Sequence, residues 1–325
     1  MKFDIILAVV LAAAGLTGAL VSGGAFDRPP ASLFGSRSGS GKPEYDGDLR
    51  ISDFLDLPDG TRLAYDLYLP ARKGWAAKGP FPVLFKYTPY LRAFRLFDES
   101  GRNLAADLFK MGFPDRAAMW IRKTLYSRGH LADAVARTDW LGGMLRRGYA
   151  AIVVERVGTG ASFGRPSPSF EDASREASAV LDWIAAQPWC DGNIWMFGDS
   201  WQAQIQFAAA ASGNPHLKCI LPVSASLDNY SSVIRPGGIL CTSFTSFFSW
   251  SQEVLDGGIA VPVDSDNDGS LLATARAERS GSNVARGSVN LFREYPFRDS
   301  RTAGYDPAWV AENAAGSHCL QLMEL

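Results

Sequence analysis

Apolar and polar positions fall into two rhythms along the chain. Between 49 and 70, LRISDFLDLPDGTRLAYDLYLP places two β-patterned runs on either side of Pro58-Asp59-Gly60. That arrangement predicts a hairpin with turn chemistry at its centre. FPVLFKYTP is a short apolar run closed by a proline turn, as expected of a buried strand. Residues 92–130 mix polar and aromatic positions and read as a helical insertion. DAVARTDWLGGMLRRGY has helical spacing and ends at Gly148, a C-cap candidate. YAAIVVERVGTG reads as a strand running into a glycine-rich loop, and SREASAVLDWIAAQPW as an amphipathic helix stopped by Pro188. GNIWMFGDS then predicts a strand into a turn, SWQAQIQFAAAA a helix, and LKCILPVSA another strand. Strands and helices alternate from about Phe81 to Ala225. The expected fold class is α/β: a mainly parallel sheet with helices on both faces.

The ends of the chain follow other patterns. Ile5 to about Ala25 is an uncharged apolar run behind Lys2, with small residues at Gly23-Gly24-Ala25. It reads as a signal peptide or a membrane anchor over 1–25, long enough to span a bilayer if uncleaved. The expected location is therefore exported, periplasmic or extracellular. A Pro/Ser/Gly-rich linker follows over 26–48. After Asp228 the alternation stops, and 228–313 reads as a helical cap, with an irregular tail over 314–325.

Composition narrows the classes. The chain has 325 residues, 47% hydrophobic and 20% charged, and reads as globular. A formal net charge of −2 without a long basic run argues against a nucleic-acid partner. Cys190, Cys219, Cys241 and Cys319 are too widely spaced for a zinc site. One disulfide is compatible with export, but small buried hydrophobes is the favoured role.

The chemistry centres on Ser200. A serine lifted on a sharp strand-to-helix turn is exposed at the carboxyl edge of a sheet, near backbone N–H groups that can hold an oxyanion. Phe197-Gly198-Asp199-Ser200 has that context, and Gly198 supplies the small residue needed where strand and helix approach. The standard G-x-S-x-G has a second glycine where Gln202 stands. The competing reading is that Ser200 merely caps a helix. VPVDSDNDGSLL offers Asp264, Asp266, Asp268 and Gly269 in the opening pattern of a calcium loop, but Ala275 occupies the position that needs a glutamate. A solvated acidic turn is the favoured reading there. Phe244, Phe247, Phe248 and Trp250 line a pocket or fill the core of the cap.

DGTRLAYDLYLP, GPFPVLFKYTPY, RGYAAIVVERVGTGASFG, DWIAAQPWCDGNIWMFGDSW, NPHLKCILPVSASLDNY, PGGIL and YPFRDS, in that order, resemble the cocaine-esterase and X-prolyl dipeptidyl aminopeptidase group of α/β-hydrolases (the CocE/NonD family). The likeness runs from about Leu49 to Arg301 and makes 49–227 the α/β-hydrolase domain. It implies a serine esterase or peptidase acting on a small ester or peptide substrate, with no metal or organic cofactor. Ser200 would be the acyl-accepting nucleophile. Tyr90 of TPY and the backbone N–H of Trp201 would be the oxyanion donors.

Several positions depart from the family pattern. Ala203 stands where a glycine is usual. ERVGTG replaces D-x-R-G-x-G, with Glu155 at the acid position and Arg156 one place early. The GWYD-like and GPWSH-like stretches that carry the family's triad aspartate and histidine are not found, nor is its C-terminal jelly-roll domain. The expectation is an incomplete, truncated member, inactive as it stands. The alternative is an exported non-catalytic binding protein descended from a hydrolase. Of the three histidines, His130 precedes Ser200 in the chain and His216 is expected at the far end of the sheet. Chain order leaves His318, for which an exposed tail position is the favoured reading.

Overall fold

The structure is a computed structural model, and it describes residues 42–95, 131–138, 140–166, 170–226, 228, 230–244, 255 and 259–279. Its described residues cluster into two units. One is drawn from 42–49, 68–77 and 93–149, the other from 50–67, 78–92 and 150–279.

The hairpin is present. Strands β1 (Gly47–Asp56) and β2 (Arg62–Arg72) flank a turn in which Leu57 N–H donates to Thr61 O at 2.8 Å. Asp59 Oδ1 accepts from Thr61 N–H at 2.8 Å, and Gly60 takes the left-handed conformation (φ 86°). The two-residue β3 (Trp75–Ala76) pairs antiparallel with β2. Strands β4 (Phe81–Thr88), β5 (Ala150–Glu155), β6 (Cys190–Asp199) and β7 (Leu217–Val223) complete a seven-stranded sheet of order β1-β2-β5-β4-β6-β7. The β4–β5, β4–β6 and β6–β7 pairs are all parallel. Every residue of β5 is buried, as its unbroken AAIVVE run requires of an interior strand covered on both faces.

Register then does something useful. Thr88 pairs with Glu155, and Asp199 with Val223, so β4, β5, β6 and β7 all end at one edge of the sheet. Chain leaving those ends carries Tyr90, Arg156 and Ser200. Helix α3 (Phe170–Ala185) and helix α4 (Trp201–Ala211) pack on each other and on β6. Ala203, Ala208 and Ala209 of α4 are fully buried, which is why this helix is alanine-rich. Phe85, Ile152, Val153, Leu181, Ile184, Ile194 and Met196 are fully buried in the core, each such burial stabilising by roughly 1.5–3 kcal/mol.

The other unit departs from the sequence reading in one respect. The single helix expected over 133–149 is two short ones, α1 (Ala134–Arg137) and α2 (Leu141–Leu145). Asp133 caps α1 through Ala136 N–H, and Thr138 adopts an extended conformation that ends it. The break comes at Thr138, before Gly142-Gly143, which lie inside α2. Gly148 does close the segment with φ 86°, its N–H on Leu145 O.

Other readings meet the structure unevenly. Cys190 is buried, but Cys219 is exposed on β7, at the edge of the sheet; neither is in a disulfide, nor is Cys241. Among the described residues no helix is long and apolar enough to cross a membrane. The apolar run over 1–25, the insertion at 96–130, His130, His318 and Cys319 lie outside the described residues.

Candidate active site

Ser200 joins β6 directly to α4 and carries φ 57°, ψ −124°. An L-residue held there stores roughly 1–3 kcal/mol, which the surroundings must offset. They do so by backbone bonds. Ser200 N–H donates to Val223 O at 2.9 Å, and Ser200 O accepts from Ala203 N–H and Gln204 N–H. Gly198 allows the strand to pass the helix: a Cβ there would lie 2.6 Å from Gln202 Cβ. The Ser200 side chain makes no capping hydrogen bond. The helix-cap reading therefore fails, and the hydroxyl is left to other partners.

Its partner is Tyr90. Tyr90 Oη lies 3.3 Å from Ser200 Oγ, and Trp201 N–H donates to the same Oη at 3.4 Å. The three residues expected to form the site thus meet around one point. Burial, the dominant cause, pushes the Tyr90 phenol up to about 12, aided by the Asp199 carboxylate and opposed by the hydrogen bonds to Ser200 and Trp201. The phenol therefore remains a neutral O–H donor across the physiological range.

Three sets of contacts hold Tyr90. Tyr90 N–H donates to Thr88 Oγ1 at 2.9 Å, and the same oxygen accepts Gln202 Nε2–H at 2.6 Å. Leu91 takes a left-handed conformation (φ 67°), which turns the chain back into the protein. Arg92 then anchors it, fully buried, on Glu155 Oε2 (2.8 Å), Asp66 Oδ1 (3.0 Å) and Val261 O (2.8 Å). Glu155 closes the clamp by accepting Arg92 N–H at 3.0 Å and Ala161 N–H at 2.7 Å. Gly160 (φ 56°) makes room for it, since a Cβ would fall 2.2 Å from the Glu155 carboxyl. The acid that sequence reading placed at position 155 is thus paired with Arg92.

Arg156 serves the site differently. Its guanidinium lies 4.9 Å from the centre of the Trp201 ring and pairs with Glu176 at 3.2 Å. Tyr87 Oη–H donates to the same Glu176 oxygen at 2.8 Å, and burial, with Glu176 beside it, lifts the Tyr87 phenol well above its ordinary value. Arg156 N–H donates to Thr88 O at 2.9 Å.

The remaining candidates fall away from this point. His216 O accepts Ile194 N–H at the start of β7. That is five strand residues, roughly 17 Å, from the Ser200 end of β6. The aspartates of the calcium-like segment are engaged by the protein. Asp264 accepts Ser52 N–H (2.9 Å) and pairs with Arg50 (3.3 Å). Asp268 accepts Ser270 N–H (3.0 Å). Asp266, 3% exposed, takes Leu271 and Leu272 N–H at the start of helix α5 (Ser270–Glu278). The segment is an exposed acidic turn, as expected, around one buried acid, Asp266, that receives the start of the helix. Among the described residues no cluster of three His, Cys, Asp or Glu could hold a metal. Phe244 is 43% exposed; Phe247, Phe248 and Trp250 lie outside the described residues.

Sequence reasoning missed Arg92, Thr88 and Gln202. Gln202 had a signal, since it replaces a glycine of the usual motif. Arg92 and Thr88 are joined to their partners by long-range contacts with no local signature.

A family model described as X-Pro dipeptidyl-peptidase (S15 family) matches residues 59–318, a span containing every one of these residues except Arg50 and Ser52. The chain belongs to the S15 family. Its relatives are hydrolases by name. The cocaine esterase of Rhodococcus sp. (strain MB1 Bresler) is 33% identical over 222 residues, 67% of this chain and 31% of that protein. The Xaa-Pro dipeptidyl-peptidase of Lactobacillus helveticus is 27% identical over 112 residues, 30% of this chain and 14% of that one. This S15 chain spans less than a third of the length of the curated relatives it matches. Among solved structures, an aminopeptidase from a marine-sediment Thaumarchaeota archaeon superposes with a TM-score of 0.51 at 15% identity, over 91% of this chain and 44% of that one. The S15 fold is that of the α/β-hydrolases, as the parallel sheet and the strand–serine–helix elbow require.

Proposed function

We propose that this chain carries the nucleophile and oxyanion half of a serine hydrolase acting on carboxylic esters or amides, exported from the cell. One observation carries the reading: Ser200 Oγ and Trp201 N–H both converge on Tyr90 Oη, at 3.3 and 3.4 Å. In the resting site the two donors are parked on one another. A substrate carbonyl oxygen entering between them would receive Trp201 N–H and Tyr90 O–H together. Ser200 Oγ would then bond to the carbonyl carbon as the π pair moves onto oxygen and the hydroxyl proton passes to a base. Collapse expels the protonated alcohol or amine, and water releases the acyl group. His216 is too distant to be the base, which this reading places outside the described residues.

A fluorophosphonate probe followed by peptide mapping tests the reading. Labelling is expected at Ser200 and absent in S200A. Folded protein that takes no label shows that Ser200 is not an activated nucleophile and favours an exported binding protein or a fragment without its base.

A further inference from the structure

The side chain that replaces a motif glycine ties the two halves of the site together. Gln202 is 6% exposed, behind Ser200 on the first turn of α4. Its Nε2–H donates to Thr88 Oγ1 at 2.6 Å, while its Oε1 faces Asp199 N–H at 3.5 Å. The amide orientation is determined, because Asp199 N–H can only donate. One carboxamide therefore spans from the residue before Ser200 to the oxygen that also receives Tyr90 N–H. Gln202 is itself held: its carbonyl accepts Gln206 Nε2–H at 3.1 Å, and fully buried Gln206 takes Leu221 N–H on β7 at 2.8 Å.

We infer that Gln202 is a positioning residue for the oxyanion donors, holding the Tyr90 phenol in register with the Trp201 amide through Thr88. The inference rests on the serine-hydrolase reading. Its physical basis is that Tyr90 and Trp201 come from different strands' ends and meet only where Trp201 N–H reaches the phenol oxygen, a bond that a substrate carbonyl would displace. A donor displaced by about 1 Å can cost as much as a hundredfold in rate. Glycine at 202 could not make this link, so the Tyr90 loop of this chain depends on it.

The test is a double-mutant cycle on the full chain, read as the second-order rate of fluorophosphonate labelling. Gln202→Met keeps the side chain's length and removes both polar atoms. Y90F removes the donor on which Gln202 is argued to act. Q202M is expected to slow labelling about tenfold or more, and Y90F about a hundredfold. The double variant is expected to match Y90F alone within a factor of two. A Q202M effect that persists undiminished in the Y90F background, or Q202M labelling at the wild-type rate, overturns the inference.

A second measurement needs no reactivity. Amide hydrogen exchange, followed by NMR, should quicken at least fivefold at Tyr90 and Trp201 in Q202M, with Ile152 of β5 unchanged as the control for folding. Unchanged exchange at Tyr90 overturns the inference whatever the labelling shows. If wild type takes no label but exchange responds, the hydrolase reading fails and the link through Thr88 stands.

Discussion

Removing the Glu155 carboxylate is the sharpest test of how this edge of the sheet is built. Glu155 is fully buried and accepts three hydrogen bonds, from Arg92 Nη1–H (2.8 Å), Arg92 N–H (3.0 Å) and Ala161 N–H (2.7 Å). Hydrogen bonds to a charged group contribute about 1.5–3 kcal/mol each. Their simple sum overstates the loss, because Arg92 keeps Asp66 (3.0 Å) and Val261 O (2.8 Å) after the change. Breaking a buried pair by deleting one partner costs roughly 3–5 kcal/mol, and the surviving partners put E155A near the lower figure. Glu155→Gln should cost about as much, because its NH2 replaces an oxygen that accepts from an N–H whichever way the amide is turned. Burial is the larger influence on this carboxyl and holds it above its usual range, with Arg92 opposing. The sign follows: the folded chain takes up this proton more readily than the unfolded one. The site's contribution is therefore fullest in acid and declines as pH rises through the folded value. Urea unfolding at pH 7 is the assay. With a slope of about 3 kcal/mol/M, at the upper end for small proteins, E155A should lower the midpoint by about 1 M and E155Q by a similar amount. An E155A midpoint within about 0.3 M of wild type would refute the argument that Glu155 is the keystone of the Arg92 anchor.

Three further outcomes follow from the elbow and the phenol. The Tyr90 phenol should titrate near 12, seen as a late component in the 295 nm absorbance of wild type minus Y90F; a midpoint near 10 would mean that it is not desolvated. Because its folded value lies above the unfolded one, its stabilising contribution is complete below about 10 and vanishes as pH climbs through 12. Replacing Ser200, with its φ of 57°, by glycine should raise stability over S200A by about 1 kcal/mol, measured as a shift in unfolding midpoint; equal stabilities would show the elbow to be unstrained. Gly198→Ala should cost about 2 kcal/mol or more and abolish labelling of Ser200, since its Cβ would be forced to 2.6 Å from Gln202 Cβ; a well-folded, labelled G198A would show that strand and helix can separate there.

Most of the sheet was legible because its signals are local. AAIVVE, FPVLFKYT and NIWMFGD are apolar runs bounded by turn chemistry, and each is a strand of the expected length. The elbow was legible for the same reason, as Gly198 and Ser200 sit between an apolar strand and an alanine-rich helix. What was not legible depends on partners far along the chain. Glu155 reads as one residue of a loop motif, yet it is claimed by Arg92, 63 residues earlier. Asp264 and Asp266 look alike in sequence; Arg50 and the start of α5 draw them into different work. The helix expected over 133–149 breaks at Thr138, a β-branched residue in extended conformation, and an apolar period cannot say which residue will break it.

The parts that sequence could not supply converge on Thr88, and this explains why the site tolerates a departure from its motif. Thr88 ends β4 and presents two acceptors. Its carbonyl takes Arg156 N–H from the loop after β5, and its hydroxyl oxygen takes Tyr90 N–H and Gln202 Nε2–H. Arg156 in turn stacks over Trp201, so the residue after Ser200 is held from the β5 side and from the α4 side at once. A glycine at 202 would leave the hydroxyl with one donor fewer and the helix free to move against Tyr90. Any non-proline residue at 156 would supply the N–H to Thr88 O; what the arginine itself adds is the guanidinium over Trp201. Gln202, a departure from the general G-x-S-x-G motif, and Arg156, a departure from the family loop, therefore bear on one short stretch: the first reaches Thr88 Oγ1 and the second lies over Trp201.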